Sequence, residues 1–305
     1  FSAISEVHWP LLSGDIDEIK AFTPDVIIAS DMRGGRLREH FPNAHIIICP
    51  CVLASFNRYP SMFKNADAVC APGVLLADMW SRAGVFPGDQ IHPAGYIGLE
   101  RLFRGDVITP PSSLIDSRSC ILYAPSARPH ISSAPMIAEA PIEYLRGARD
   151  DVTVVIKPHP DTFQLHGEWI RHWRQAAIDH DNVVLIDDPE ADIIPYLKSA
   201  DVLVTDASSV MFDFLAVDRP ILLLRNPNYT RDPEAYDAQG IEWRWREIGR
   251  EIVNPADLPK AVDLALKTPD AGTEVRARFA AALFDDTRDG GVSDRIIDLI
   301  SELST

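Results

Sequence analysis

Four short segments hold residues whose types and spacing fit phosphate chemistry. The first is Lys157-Pro158-His159-Pro160. Each proline fixes its own φ and limits the residue before it, so His159 is held in one direction. Histidine titrates near neutrality and suits a general base or a hydrogen-bond donor to phosphate, and Lys157 adds a point charge. The second is Thr205-Asp206-Ala207-Ser208-Ser209. Its hydroxyls and the backbone N–H groups around them fit a diphosphate. Asp206 suits orienting a hydroxyl, holding a ribose or binding Mg2+. Serine is also a preferred helix N-cap, and a helix start offers free N–H groups to an anion. Asp213 lies four residues beyond Ser209, one helical turn on, where it can bond a ribose or the turn itself. The third is Tyr123-Ala124-Pro125-Ser126-Ala127-Arg128, in which Arg128 can clamp a phosphate with its fork of donors. The fourth is Asp289-Gly290-Gly291-Val292-Ser293, a glycine turn into a helix. Each also has an ordinary reading: a solvated loop histidine, a plain cap, a surface arginine, a helix start. The first two segments together, both at strand ends, favour a phosphate site.

The elements that must position these residues alternate in type. Short apolar runs at 26–29, 45–49 and 68–71 read as strands, with helical patterns at 16–22 and 74–83. Thr109-Pro110-Pro111-Ser112-Ser113 is linker-like. Beyond it, strands are expected at 120–124, 152–156, 183–186, 202–204 and 221–224. Helices are expected at 138–146, 168–179, 193–199, 210–216, 255–266, 274–284 and 293–303. Trp243 and Trp245 fit an amphipathic edge strand or loop. Such alternation implies βαβ units and parallel sheets. The expected fold is α/β, with two Rossmann-type parallel-sheet domains facing across a cleft. Residues 1–108 form an acceptor-side domain and 109–305 a domain for a nucleotide-activated donor, the last helix packing back on the first. Ligands of open parallel sheets sit beyond the carboxyl ends of the strands. The loop after Ala29 is therefore a candidate by position, and it carries Asp31.

Composition removes several classes. A net charge of −16 disfavours a nucleic-acid surface and a polybasic attachment to anionic lipid. At 46% hydrophobic residues the chain is a packed globular protein. No apolar run approaches the ~20 residues that span a bilayer, and no leader pattern is visible. The expected location is the cytoplasm, with peripheral contact at the inner membrane face. The cysteines at 49, 51, 70 and 120 form no CxxC pair and read as small buried residues in a reducing compartment. His166, His172 and His180 do not match a zinc pair and read as solvated, so no metal is expected.

In their order along the chain, these segments resemble the CDP-glycerol glycerophosphotransferases, the teichoic-acid polymerases and primases of Gram-positive cell walls. Ala94-Gly95-Tyr96-Ile97-Gly98-Leu99-Glu100 is similar to that family's Gly-Tyr-Pro-Arg-x-Asp. Tyr123 to Arg128 is similar to its Tyr-Ala-Pro-Thr-x-Arg, and Lys157 to Pro160 to its Lys-x-His-Pro. Thr205 to Phe214 is similar to Thr-Asp-Tyr-Ser-Ser-x-x-Phe-Asp-Phe, with Arg219-Pro220-Ile221 and Asp289-Gly290 following. The resemblance implies a GT-B-like fold that binds a CDP-activated polyol in its C-terminal half, without cofactor or metal. Ser208 and Ser209 would hold the pyrophosphate, with Lys157, Arg128, Ser126, Thr205, Asp206 and Asp213 as further donor contacts. His159 would touch the donor phosphates or act in transfer. An acceptor hydroxyl, on a polyol, glycan or lipid-linked carrier, would attack the β-phosphorus and release CMP. Where the family carries His-Gly-Thr-Pro after an N-terminal strand, this chain reads Pro50-Cys51-Val52-Leu53-Ala54-Ser55. The base would then be His159 or Asp31. Two other readings stay open: a GT-B glycosyltransferase or sugar-nucleotide epimerase using a UDP- or CMP-sugar, and a non-catalytic nucleotide-binding domain of a larger assembly enzyme.

Overall fold

A computed structural model of the protein describes residues 16–30, 34–50, 52–53, 65–84, 86–109, 114, 119–147, 149–284 and 287–303. Two parallel sheets organise the chain. The first runs β1 (Val26–Ala29), β2 (His45–Ile48), β3 (Ala68–Cys70) and β4 (Ile91–His92), in that order across the sheet. The second comprises β5 (Ser119–Tyr123), β6 (Val152–Ile156), β7 (Val183–Leu185), β8 (Val202–Thr205), β9 (Ile221–Leu224) and β10 (Arg250–Ile252). Its spatial order is β10-β9-β8-β5-β6-β7. Every pairing is parallel. The chain builds outward from β5 to β7, then returns to lay β8 on the other side of β5. The sheet thus reverses between β5 and β8, which is where open α/β sheets place a ligand crevice.

The apolar runs of β2, β3, β5, β6, β8 and β9 form strands buried on both faces, while Ile28 of the edge strand β1 stays half exposed. Side chains of the second sheet divide by period two. Cys120, Leu122, Leu203, Ile221 and Leu223 join the core that also takes Ile46, Ile48 and Val69 from the first sheet. Ile121, Tyr123, Val202, Val204 and Leu222 face the opposite core with Trp169, Trp173 and Val262. Burying each such large side chain is worth about 1.5–3 kcal/mol. The first core is shared, so it joins the two halves. Cys49, Cys70 and Cys120 are buried free thiols; Cys51 lies outside the described residues.

The terminal helix, Val292–Leu303, covers the first sheet. Val292, Ile296 and Leu299 stand one helical face apart and pack on Ile47, Cys49, Ala68, Cys70 and Ala94. Buried Glu100 anchors its start, taking the Ser293 N–H at 2.7 Å and the Ser293 hydroxyl at 2.5 Å. Arg295 donates to the Ala94 carbonyl at 2.6 Å and is held by Asp289. Gly95, at φ +102°, lets the helix approach, because a Cβ there would lie 2.8 Å from Val292 Cγ2.

Several elements differ from the sequence expectation. The helix expected at 138–146 is two pieces, Ala134–Ile137 and Pro141–Leu145. Pro141 cannot continue a helix but fits the first turn of a new one. The segment 210–216 is one α turn, Val210–Asp213, and a 3-10 turn, Phe214–Val217, ended by Asp218 in the left-handed region. Trp243 lies in a short helix, Ile241–Arg244, rather than a strand. β4 and β10 were too short to show as apolar runs. His166 is not solvated but stacks on Trp169 at 3.9 Å. No helix among the described residues is long and apolar enough to cross a membrane.

Glu100→Ala removes both bonds to Ser293 and leaves the Ser293 donors in a partly buried place. The expected loss is about 2 kcal/mol, with faster hydrogen exchange across 292–303 than across β5 and β6. Unchanged protection of 292–303 would show that the apolar face and the Arg295 contacts hold the helix without Glu100.

Candidate functional site

A cavity of about 530 Å3 lies between the two sheets, at the carboxyl ends of β5, β6 and β8. The second sheet supplies Ala124 and Pro125, the 157–161 segment, the 189–194 loop, and Ser208, Ser209, Val210 and Asp213. The first half supplies Val52, Tyr96, Gly98 and Leu99. At the rim, Arg101 of the first half reaches Asp192 of the second at 3.3 Å.

Lys157 follows β6, and its N–H bonds the Tyr123 carbonyl at 2.9 Å. Its side chain is buried at 6% exposure. Burial pushes the ammonium pKa below its ordinary value, and Asp188 and Glu190 oppose that shift. A buried ammonium gains most from an anionic partner. Two residues on, the His159 ring is 44% exposed, and Nδ1 accepts the Asp161 N–H at 3.2 Å. In the neutral ring the proton therefore sits on Nε2, a donor. Desolvation lowers the His159 pKa, Asp161 raises it and Lys157 lowers it, which favours that neutral form at pH 7.

Ser208 and Ser209 are half-buried on the cavity wall. Ser209 occupies the N-cap position, yet its hydroxyl makes no capping bond. The expected helix-start field is correspondingly small, because only one α turn follows. The hydroxyls, not a long helix, are what this wall offers. Asp213 closes the turn. Its Oδ1 is sealed from solvent and has no hydrogen-bond partner, and burial pushes its pKa up to about 7.

Other sequence candidates lie elsewhere. Thr205 and Asp206 are fully buried. Thr205 Oγ1 donates to the Ala124 carbonyl at 2.6 Å. Asp206 accepts the Ser133 N–H at 2.7 Å, the Ser133 hydroxyl at 2.9 Å and the Ser126 N–H at 3.2 Å. Burial raises the Asp206 pKa, while bonds from Ser133 and Ser126 oppose the rise. Neither side chain has a face open to the cavity. Ser126 is buried, 8% exposed, just behind the lining residues Ala124 and Pro125. Arg128 points away to Asp232 and Glu234, each at 3.4 Å. Asp31 lies outside the described residues. Sequence reasoning missed the first-half wall of Val52, Tyr96 and Leu99, whose apolar types carry no chemical signal. It also missed Asn226 and Arg246, which bind loop carbonyls. Among the described residues, no group of three or more His, Cys, Asp or Glu side chains is placed to hold a metal ion.

Two parallel sheets around such a cleft define a GT-B protein, and solved structures share the arrangement. A variant of the wall teichoic acid polymerase TagF superposes with a TM-score of 0.62, at 17% identity, over 91% of this chain and 72% of that one. The UDP complex of S. aureus MnaA gives 0.59 at 17% identity, over 94% and 76%. A putative UDP-N-acetylglucosamine 2-epimerase from Listeria monocytogenes gives 0.58 at 19% identity, over 94% and 77%. The family is narrower: residues 64–302 match the CDP-Glycerol:Poly(glycerophosphate) glycerophosphotransferase family, and the chain belongs to it. A teichoic acid glycerol-phosphate primase from Bacillus spizizenii is 28% identical over 200 residues, covering 64% of this chain. The chain spans about half the length, 48%, of that curated relative.

Asp213 gives a pH signature. Its folded pKa of about 7 lies above the unfolded value. The folded state therefore keeps full stability from this group below about pH 4 and loses it as pH rises to about 7, where the unfolded acid is ionised and the folded one is not. Asp213→Asn avoids the loss. It should stabilise the protein more at pH 8 than at pH 5, on the order of 2 kcal/mol, in urea unfolding at both pH values. Equal effects at both would place the Asp213 pKa near its ordinary value.

Proposed function

We propose that the protein transfers a polyol-phosphate group, glycerol-phosphate-like, from a CDP-activated donor to a hydroxyl acceptor in surface-polymer synthesis, with release of CMP. The observation that carries this reading is the convergence of Lys157, His159, Ser208 and Ser209 on one cleft cavity, in a chain of this family. A pyrophosphate there would relieve the desolvated Lys157 ammonium and take donors from two serine hydroxyls. We assign His159 Nε2–H to the charge on the phosphates rather than to the acceptor proton. The acceptor oxygen attacks the β-phosphorus, the bond from that phosphorus to the bridging oxygen breaks, and CMP leaves with that oxygen, its phosphate taking up the acceptor hydroxyl's proton. Positioning and charge neutralisation supply most of the catalysis in such transfers. The donor carries its own activation, so the reading needs no cofactor. Val52, Tyr96 and Leu99 give the acceptor side an apolar wall that limits water. The acceptor is a polyol, glycan or lipid-linked carrier, the last reached by peripheral contact with the membrane.

A calorimetric panel of CDP-glycerol, CDP-ribitol, UDP-N-acetylglucosamine and a CMP-sugar tests the donor. The CDP-polyols should bind, and exclusive binding of the UDP-sugar would overturn the reading. Lys157→Ala should weaken CDP-polyol binding about tenfold or more, roughly 1.4 kcal/mol. His159→Ala should lower turnover about a hundredfold; a wild-type rate would remove His159 from the chemistry.

A further inference from the structure

We infer that Asp206 is a positioning residue: it holds the loop after β5 against the end of β8, and so sets the wall of the donor cavity without touching the donor. The inference rests on the donor reading given above. Asp206 has 0% exposure and accepts three hydrogen bonds, two from backbone N–H groups and one from a hydroxyl. A carboxylate without water persists only when its oxygens are supplied with donors. All of its donors come from Ser126 and Ser133, residues of the other strand's loop.

The neighbouring contacts run in the same direction. Thr205, next in sequence, binds the Ala124 carbonyl, the first residue of that loop. Asn226, past the end of β9, donates to the Pro129 and Ser132 carbonyls at 2.8 Å each. The Tyr123 hydroxyl meets the Ser133 hydroxyl at 2.9 Å beneath the loop. Arg246 donates to the Asp206 carbonyl at 2.8 Å and to Glu251 at 3.0 Å. The loop is thus tied at its start, middle and end, and the Asp206 carboxylate joins Ser126 near its start to Ser133 at its end. Ala124 and Pro125, at its start, line the cavity that also takes Lys157. Releasing Ser126 and Ser133 frees that wall while leaving Lys157, His159, Ser208 and Ser209 in place.

The test compares wild type with Asp206→Asn, which keeps one acceptor oxygen but turns an amide N–H toward the loop's donors. A second variant, Ser133→Ala, removes only the hydroxyl bond and keeps the protein readable if the first does not fold. CDP affinity by calorimetry should fall about tenfold in Asp206→Asn and about threefold in Ser133→Ala. In turnover, donor KM should rise with kcat within about threefold of wild type. Unchanged affinity in both variants, or lost kcat at unchanged affinity, would overturn the inference. Hydrogen exchange of the Ser126 and Ser133 amides separates its failure from that of the donor reading. If wild type binds no cytidine nucleotide, the donor reading fails. Faster exchange at both amides in the variants still supports the loop assignment, and unchanged exchange rejects it.

Discussion

Between β5 and β8 the second sheet reverses its order, and the loops leaving the two strands would diverge without a tie. The Asp206 carboxylate spans that gap. A charge in such a place is costly to bury, and its cost is offset only by donors held at fixed positions. Those donors are backbone groups of the opposite loop, so satisfying the charge and shaping the edge are the same event. Lys157 and His159 follow β6 and Ser208 and Ser209 follow β8, while the tie sets the Ala124 and Pro125 wall of the same cavity.

The cavity owes its character to scarcity of charge as much as to its presence. In a chain of net charge −16, one buried ammonium stands at the end of β6. The acidic side chains of Asp188 and Glu190 oppose the lowering of its pKa by burial. They also repel an anion that does not reach Lys157 directly, so binding requires close seating rather than diffuse attraction. The neutral imidazole of His159 and the two serine hydroxyls add donors without adding charge.

Much of this was legible in the amino acids. Lys157 and His159 stood out because prolines flank the histidine, and strand ends could be read from apolar runs. Ser208 and Ser209 were legible for the same reason. The order of the motifs then pointed to the family, and the GT-B fold followed. Direction was not legible. Thr205 and Asp206 neighbour Ser208 in sequence, yet face inward because the strand and the turn after it aim successive side chains differently. Arg128 has a phosphate-binding side chain, but Asp232 and Glu234, about a hundred residues away, capture it. Such captures depend on the folded path of 226–246, which lacks periodicity. The break at Pro141 was a local rule overlooked in favour of a longer apolar pattern.

The terminal helix has a consequence for the order of synthesis. The face of the first sheet formed by Ile47, Cys49, Ala68, Cys70 and Ala94 is covered by residues 292, 296 and 299. During translation the strands of that sheet leave the ribosome some two hundred residues before their cover. Domains ordinarily fold in the order they are made. Here the first half waits, with an apolar face open, until residues 292–299 emerge to cover it.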